Sequence, residues 1–465
     1  MALKEDLRER GLRRGQVGTV VELQALPYNF AQFGDGQGIS STLILVNPSV
    51  TDTAEGTVSL LNAEGSPILA NINGMDQAGS FSFNVPPKGA SYYATGGSAR
   101  LVVGSAQLVS SVPVNGTILF GGNFGLAGVA GVEPFARFLV PIEMNRAIGV
   151  STGVAIFNSN RSPANVALRL RQASGVFVPN GGVEFAVNPN SQLARFPDEL
   201  FSGRGIDLSN FRGTLEISST LPVNGMAVRV SPGELATLPV IPIPPESDQL
   251  YFPQFGDGQG ISSTLILVNP SNETATGTAS LSGIAGQPLA VDINGLVRIG
   301  SFPISIPPGG IAFYATDGLG EPVVGSVEVK CSTPLGGVIL FSGPLGVAGV
   351  GASQPVSKFL VPIESAVAGG VRSGVAISNP NDFQIQLTLT LRDFQGVPVP
   401  DGSAQVPLLP RGQVAKFAEE FFEGRAIDLS SFRGTLEVEA SAPVNSTAIR
   451  VSPRQFATLP VTEVF

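Results

Sequence analysis

Residues 32–49 return residue for residue at 254–271, 222 positions further on. A second pair, Phe138-Leu139-Val140-Pro141-Ile142-Glu143 and Phe359-Leu360-Val361-Pro362-Ile363-Glu364, keeps an offset of 221. The chain is therefore a duplicated unit, and each half divides again. An Asn that closes an apolar run stands at Asn47, Asn158, Asn269 and Asn379, in steps of 111, 111 and 110. A Pro followed by small residues and an apolar run stands at Pro113, Pro222, Pro334 and Pro443, in steps of 109, 112 and 109. Two independent markers with one period define an internal repeat, and a period near 110 residues is an ordinary domain size. The order is A1-B1-A2-B2, at residues 25–136, 137–241, 250–357 and 358–465. A Pro-rich linker fills 242–249, and a charged helix followed by a strand-like arm fills 1–24.

Inside each unit the pattern is strand and turn. Phe81, Phe83 and Val85 alternate onto one face and stop at Pro86-Pro87-Lys88-Gly89. Such alternation marks a half-buried strand. About seven runs of this kind per repeat, separated by some of the 57 Gly and 37 Pro, predict an all-β chain. Its expected fold is four tandem immunoglobulin-like β-sandwich modules arranged as two A-B pairs. Each B module adds a short helical turn, because Phe417, Phe421 and Phe422 stand at helical spacing. Prolines stiffen the linker, so each A-B pair is expected to move together, with any bend at 242–247.

Composition narrows the function classes. The chain has no His and a single Cys, Cys331. The commonest general base and transition-metal ligand is missing, and neither an intrachain disulfide nor a thiolate zinc site is expected. The net charge is −9, and no later stretch repeats the basic excess of residues 1–16. A nucleic-acid partner needs a basic face, so none is expected. No apolar run reaches the eighteen residues of a membrane-spanning helix. Serine hydrolysis lacks its His and has no Ser-x-x-Lys frame.

Few residues suggest chemistry, and no catalytic or cofactor-binding residue is assigned. Asp35 and Asp257, each in a Gly-Asp-Gly-Gln-Gly loop, are the calcium candidates. One carboxylate falls short of the six to eight oxygens Ca²⁺ takes. The alternative is a tight inter-strand turn whose glycines supply positive φ. Arg204, Asp207, Arg212 and Glu216 recur as Arg425, Asp428, Arg433 and Glu437; they read as a surface ion-pair lattice beside a strand. Glu143 and Glu364 read as structural partners for Arg229 and Arg450. Cys331 reads as a quiet thiol. Val17, Val20, Val21 and Leu23 form an apolar arm with no counterpart before A2, a candidate for strand addition to another copy.

Several stretches together resemble a known kind of protein. They are the run Leu387-Thr388-Leu389-Thr390-Leu391-Arg392-Asp393 with Gly396 after it, the Phe-Ala-Glu-Glu-Phe-Phe turn at 417–422, Phe-Arg-Gly-Thr-Leu at 432–436 and Pro-Val-Asn-Ser-Thr-Ala-Ile-Arg at 443–450. They resemble tandem immunoglobulin-like β-sandwich repeat proteins, secreted or cell-surface, of environmental bacteria. The resemblance covers nearly the whole chain from about Ala25. It implies that fold and an extracellular or cell-surface setting, and it carries over no catalytic residue. Residues 1–16 show no secretory signal pattern. The expected function is non-enzymatic, a structural or adhesive protein acting through protein partners or self-association. The alternatives are a subunit of a homopolymeric extracellular filament joined through the arm, and a carbohydrate-binding accessory protein. Absence of Trp ranks the last below the others.

Overall fold

A computed structural model describes residues 26–123, 125–245, 247–453 and 455–464. The charged helix and the arm with Val17, Val20, Val21 and Leu23 lie outside the described residues. Strands hold 68% of the described residues and helix 3%, so the molecule is all-β with several antiparallel sheets.

The A1 segment forms two four-stranded sheets. One runs Leu26–Asp35, Val102–Ser110, Ala54–Asn62, Ser80–Val85; the other runs Gly125–Ala130, Asn115–Gly122, Ser40–Val46, Ala90–Ala94. Val58, Phe83 and Leu108 of the first sheet share one core with Leu43, Leu45 and Ile118 of the second. The period-2 pattern is what allows this, since Phe81, Phe83 and Val85 turn inward while Ser80, Ser82 and Asn84 stay exposed. The other segments repeat the wiring with fewer breaks. Asn210–Ser231, Val323–Gly343 and Ser431–Ser452 are single strands of 21 or 22 residues that pass from one sheet to the other. In the first of them, residues 213–219 pair with Ala164–Gln172, and residues 224–230 pair with Ser151–Phe157.

The four marker asparagines are staples. Each is at most 2% exposed. Their Nδ2 groups donate to the carbonyls of Val85, Val187, Ile306 and Leu408. Their Oδ1 atoms accept the N–H two residues on, from Ser49, Asn160, Ser271 and Asn381. A short side chain with both a donor and an acceptor is needed to satisfy the backbone on both sides of this reversal. The B segments carry the expected helical turns, Pro197–Leu200 and Ala418–Phe421. Leu200 and Phe201 enter the B1 core, and Phe421 and Phe422 enter the B2 core.

The two A-B pairs are not joined at the linker alone. Each segment ends in a short strand: Gly125–Ala130, Glu234–Leu238, Gly346–Gly351 and Gln455–Leu459. Each of these packs on the corresponding strands of both neighbours, so A1 meets B1, B1 meets A2, A2 meets B2, and B2 meets A1. The hinged string expected from the linker is instead a closed ring. At its centre Gly128, Thr237, Gly349 and Thr458 occupy one repeat position. The Thr237 hydroxyl donates to the Gly128 carbonyl at 2.7 Å. A Cβ on Gly128 would stand 2.2 Å from the Thr458 carbonyl oxygen, and one on Gly349 would stand 2.1 Å from that of Thr237. Glycine is required there because the neighbouring backbone occupies the space of a side chain.

Candidate functional site

The Gly-Asp-Gly loops are tight turns. Gly36, Gln37 and Gly38 hold φ of 105°, 54° and 85°, and Gly258, Gln259 and Gly260 hold 100°, 53° and 83°. Asp35 and Asp257 are buried. Each latches the facing loop by accepting a backbone N–H, from Gly97 at 2.8 Å and from Gly318 at 3.0 Å. Among the described residues no three Asp, Glu or Cys side chains gather as a metal cluster.

The recurring charges do not form one surface lattice. They separate into two kinds of cluster, because the strands that carry them bury some of the carboxylates. Glu143 accepts from Arg212 and Arg229, both at 2.7 Å; Glu364 accepts from Arg433 at 2.7 Å and Arg450 at 2.6 Å. The pairings of Glu143 with Arg229 and Glu364 with Arg450 match the sequence reading. Glu216, which is buried, instead takes Arg137 at 2.7 Å and a very short contact from Arg171. Buried Glu437 takes Arg392, Lys88 at 2.7 Å and Lys358 at 3.4 Å. Asp207 and Asp428 accept the N–H groups of Ser209 and Ser430.

Two kinds of seam alternate around the ring. At the A-B seams a glutamine of the B segment reaches across. Gln192 Nε2 donates to Gln32 Oε1 at 2.8 Å and to the Gly104 carbonyl at 3.1 Å. Gln413 Nε2 donates to Gln254 Oε1 at 2.6 Å and to the Pro253 carbonyl at 2.7 Å. At the B-A seams the A segment completes the core of its neighbour. Ile266, Val268, Ile311 and Leu340 join the B1 core, and Ile44 and Leu119 join the B2 core.

The B2-A1 seam joins the last segment to the first, and it carries polar contacts that the linker-spanned B1-A2 seam lacks. The Tyr92 hydroxyl donates to the Ile363 carbonyl at 3.2 Å, where the other seam has Phe313. Burial, and then the charge of Glu364, push that phenol well above its ordinary pKa and keep it a donor. The Thr435 hydroxyl donates to the Lys88 carbonyl at 2.7 Å, whereas the hydroxyl of its counterpart Thr214 is buried without a partner. Lys88 reaches Glu437 across the seam. It does so from φ 57°, a left-handed conformation that its counterpart Gly309 shares at 64°. A side chain there costs about 1–2 kcal/mol, and the cross-seam ion pair offsets that cost.

Two cavities open on the seams. One of about 570 Å³ lies between A2 and B2, with a mainly apolar wall that includes Ile261, Phe341, Leu345, Phe417 and Phe456. Thr447 also lines it, whereas its counterpart Met226 is buried in the A1 core. The second, about 850 Å³, brings together A1, A2 and B2 at the closing seam. Tyr28 lines it, with its hydroxyl donating to Asn115 Oδ1 at 2.6 Å. Burial, partly opposed by hydrogen bonding with the backbone of Gly116 and assisted by the charge of Glu133, raises that phenol to about 12. The sequence carried no direct sign of either cavity, since each is made by segments far apart in the chain.

Cys331 sits on a strand opposite Gly277. Burial, then the nearby Asp248 charge, push its thiol up to about 11. Reaction with a disulfide reagent at pH 8 is expected to run on the order of 100-fold slower than with free cysteine, because the thiolate is the nucleophile. A rate within threefold of free cysteine would contradict this environment.

No helix among the described residues is long and apolar enough to cross a membrane. No protein-family model matches the sequence, and none of the curated proteins compared with it matches.

Proposed function

We propose that this chain is a non-enzymatic structural or adhesive protein of the cell surface or extracellular space, made of four tandem immunoglobulin-like β-sandwich modules. In this reading the A-B-A-B modules act as one rigid body and not as a flexible string. The observation that carries it is the closure of the ring, with the recurring Glu, Arg and Gln side chains spent on seams and strand ends. Groups fixed in this way supply stiffness and leave the exposed loops and seams to meet partners. The resemblance of 417–422, 432–436 and 443–450 to tandem repeat proteins of secreted or surface type supports the same setting.

The test has two arms. Antibody labelling of intact native cells is expected to find the protein at the surface or in the medium; finding it solely in the cytoplasm overturns the location. The purified chain is expected to leave chromogenic esters, glycosides and phosphoesters unchanged. Turnover that Glu420→Gln, in the wall of the A2-B2 cavity, abolishes would overturn the non-enzymatic reading.

A further inference from the structure

The two A-B seams carry the same repeat positions but are packed differently. In B1, Ala155 pairs with Ala194 on one side and with Met226 on the other. Cross-strand neighbours share a face of the sheet, and Ala155, Met226 and Leu235 belong to the A1 core. In B2 the paired positions are Ala376, Ala415 and Thr447. Their strand neighbours Val375 and Ile377 fill the B2 core, so the Ala376 face turns toward A2. Among the described residues of B2, Phe456 alone packs against the A2 core. The 570 Å³ cavity lies over this face.

Its wall has the makeup of a small-molecule site. Pockets for such ligands hold roughly 300–1,000 Å³ and are mostly apolar, with a few polar groups. Here the floor of small side chains lies among the rings of Phe341, Phe417 and Phe456. Ile261 and Leu345 of the wall are 41% and 46% exposed. Thr447 supplies the polar group of the floor. It is 8% exposed, and its hydroxyl makes no hydrogen bond among the described residues, although buried hydroxyls normally have a partner. The charges are arranged against an anion. Glu420 is held in the wall by accepting the Phe417 N–H at 2.8 Å, with Arg372, outside the lining, 3.5 Å from its other oxygen. Lys416 is the one cationic residue of the lining. It pairs with Val375, on the B2-core face, and its ammonium sits over the Phe421 ring at 5.8 Å.

We propose that the A2-B2 seam binds a neutral, largely hydrocarbon small molecule that carries one hydroxyl or carbonyl oxygen. The hydrocarbon body covers the Ala376 face and the phenylalanine rings, and its oxygen meets the Thr447 hydroxyl. Removal of these apolar surfaces from water drives binding. A carboxylate in the same place would leave water to stand near Glu420 with no cation facing it, which is costly. A2 and B2 build the cavity by themselves, so the inference goes beyond the structural role proposed above and does not depend on closure of the ring.

Fluorescence titration of the full chain tests it, with the neutral dye phenylnaphthylamine as probe and decanol and decanoate as competitors. Saturable emission at one dye per chain is expected, with decanol displacing the dye at least about tenfold better than decanoate. Thr447→Val keeps the shape of the floor and removes the hydroxyl, and it is expected to weaken decanol about fivefold. Two variants narrow the cavity. Thr447→Met installs the residue that B1 has at this position, and Ala415→Phe adds a ring at an exposed position of an edge strand, where folding is not threatened. Each is expected to weaken the dye at least about fivefold. Absence of saturable binding overturns the inference, and so does dye affinity unchanged in both narrowing variants. Decanoate that displaces the dye as well as decanol overturns the neutral class, and decanol affinity unchanged by Thr447→Val overturns the role of the hydroxyl.

Discussion

Gly128→Val is expected to open the ring between A1 and B2 while leaving both segments folded. Gly128 lies in the strand Gly125–Ala130, where valine is a favourable residue. Its φ is not left-handed, so the added side chain meets no local backbone strain. The obstacle is in the neighbouring segment. The first added carbon already falls 2.2 Å from the Thr458 carbonyl oxygen and 3.0 Å from its hydroxyl. Backbone cannot retreat as a flexible side chain would, so the clash exceeds the roughly 1–3 kcal/mol typical of overpacking. Parting the seam is the cheaper response. For the closed chain a radius of gyration of about 23 Å is expected, and scattering from the variant is expected to show an increase of several ångströms. Two controls sharpen the result. Gly182→Val makes the same chemical change in a strand where the new carbon meets nothing within 4 Å, and it is expected to scatter like the parent. Gly349→Val creates the same clash, against Thr237, at the seam that the linker spans, so a smaller expansion is expected. A Gly128→Val protein as compact as the parent would show that the ring is not closed by this contact.

Much of the fold could be read from the sequence, and the parts that could not share one cause. The period of the asparagine markers survived because each asparagine staples a strand end that all four segments need. Alternation in Ser80–Val85 gave the half-buried strand, and the spacing of Phe417, Phe421 and Phe422 gave the helical turn. The pairing of Glu364 with Arg450 was also legible, because both follow strand signatures of the B segments. Closure was not, because it depends on which face of a strand meets a neighbour. One signal for it was present. The run Leu43-Ile44-Leu45-Val46 does not alternate, and a strand apolar at every position is buried on both faces. Leu43 and Leu45 fill the A1 core, Ile44 joins the B2 core, and Val46 packs with Leu360 and Val464. Glycine within the short strands at 128 and 349 was a second signal, since it marks close backbone approach. The burial of Glu216 and Glu437 had no such signal. A charged residue between two core positions of a strand normally faces water, and the arginines and lysines delivered from elsewhere in the fold make its covered position tolerable.

That burial sets up the second large effect. Glu437→Gln is expected to destabilise the fold by about 3–5 kcal/mol, the usual cost of leaving buried charges without their partner. Arg392 and Lys88 are only 13% and 18% exposed at their side chains, so water cannot take over from the lost carboxylate. Glu216→Gln is the informative comparison. Its cluster has no counterpart of Lys88, and Arg137 is about half exposed, so a smaller loss is expected. Burial works to raise the Glu437 pKa, but hydrogen bonds and charges from Lys88 and Arg392 outweigh it and hold the carboxyl below its ordinary value. The sign of the pH dependence follows. The unfolded chain takes up protons first, so the stabilisation is complete above the ordinary glutamate pKa of about 4.3 and is lost as the pH falls through the lower folded value. Denaturant unfolding at pH 7 is expected to separate the parent from Glu437→Gln by the full amount. The gap is expected to narrow as the pH drops below 4, because the parent then loses the same charge. A gap that stays constant down to pH 3 would mean that the carboxylate's charge is not what Glu437 contributes. Because Lys88 belongs to A1 and Glu437 to B2, part of the loss at pH 7 is expected as ring opening in scattering. Glu216→Gln, whose arginines both belong to B1, is expected to leave the ring closed.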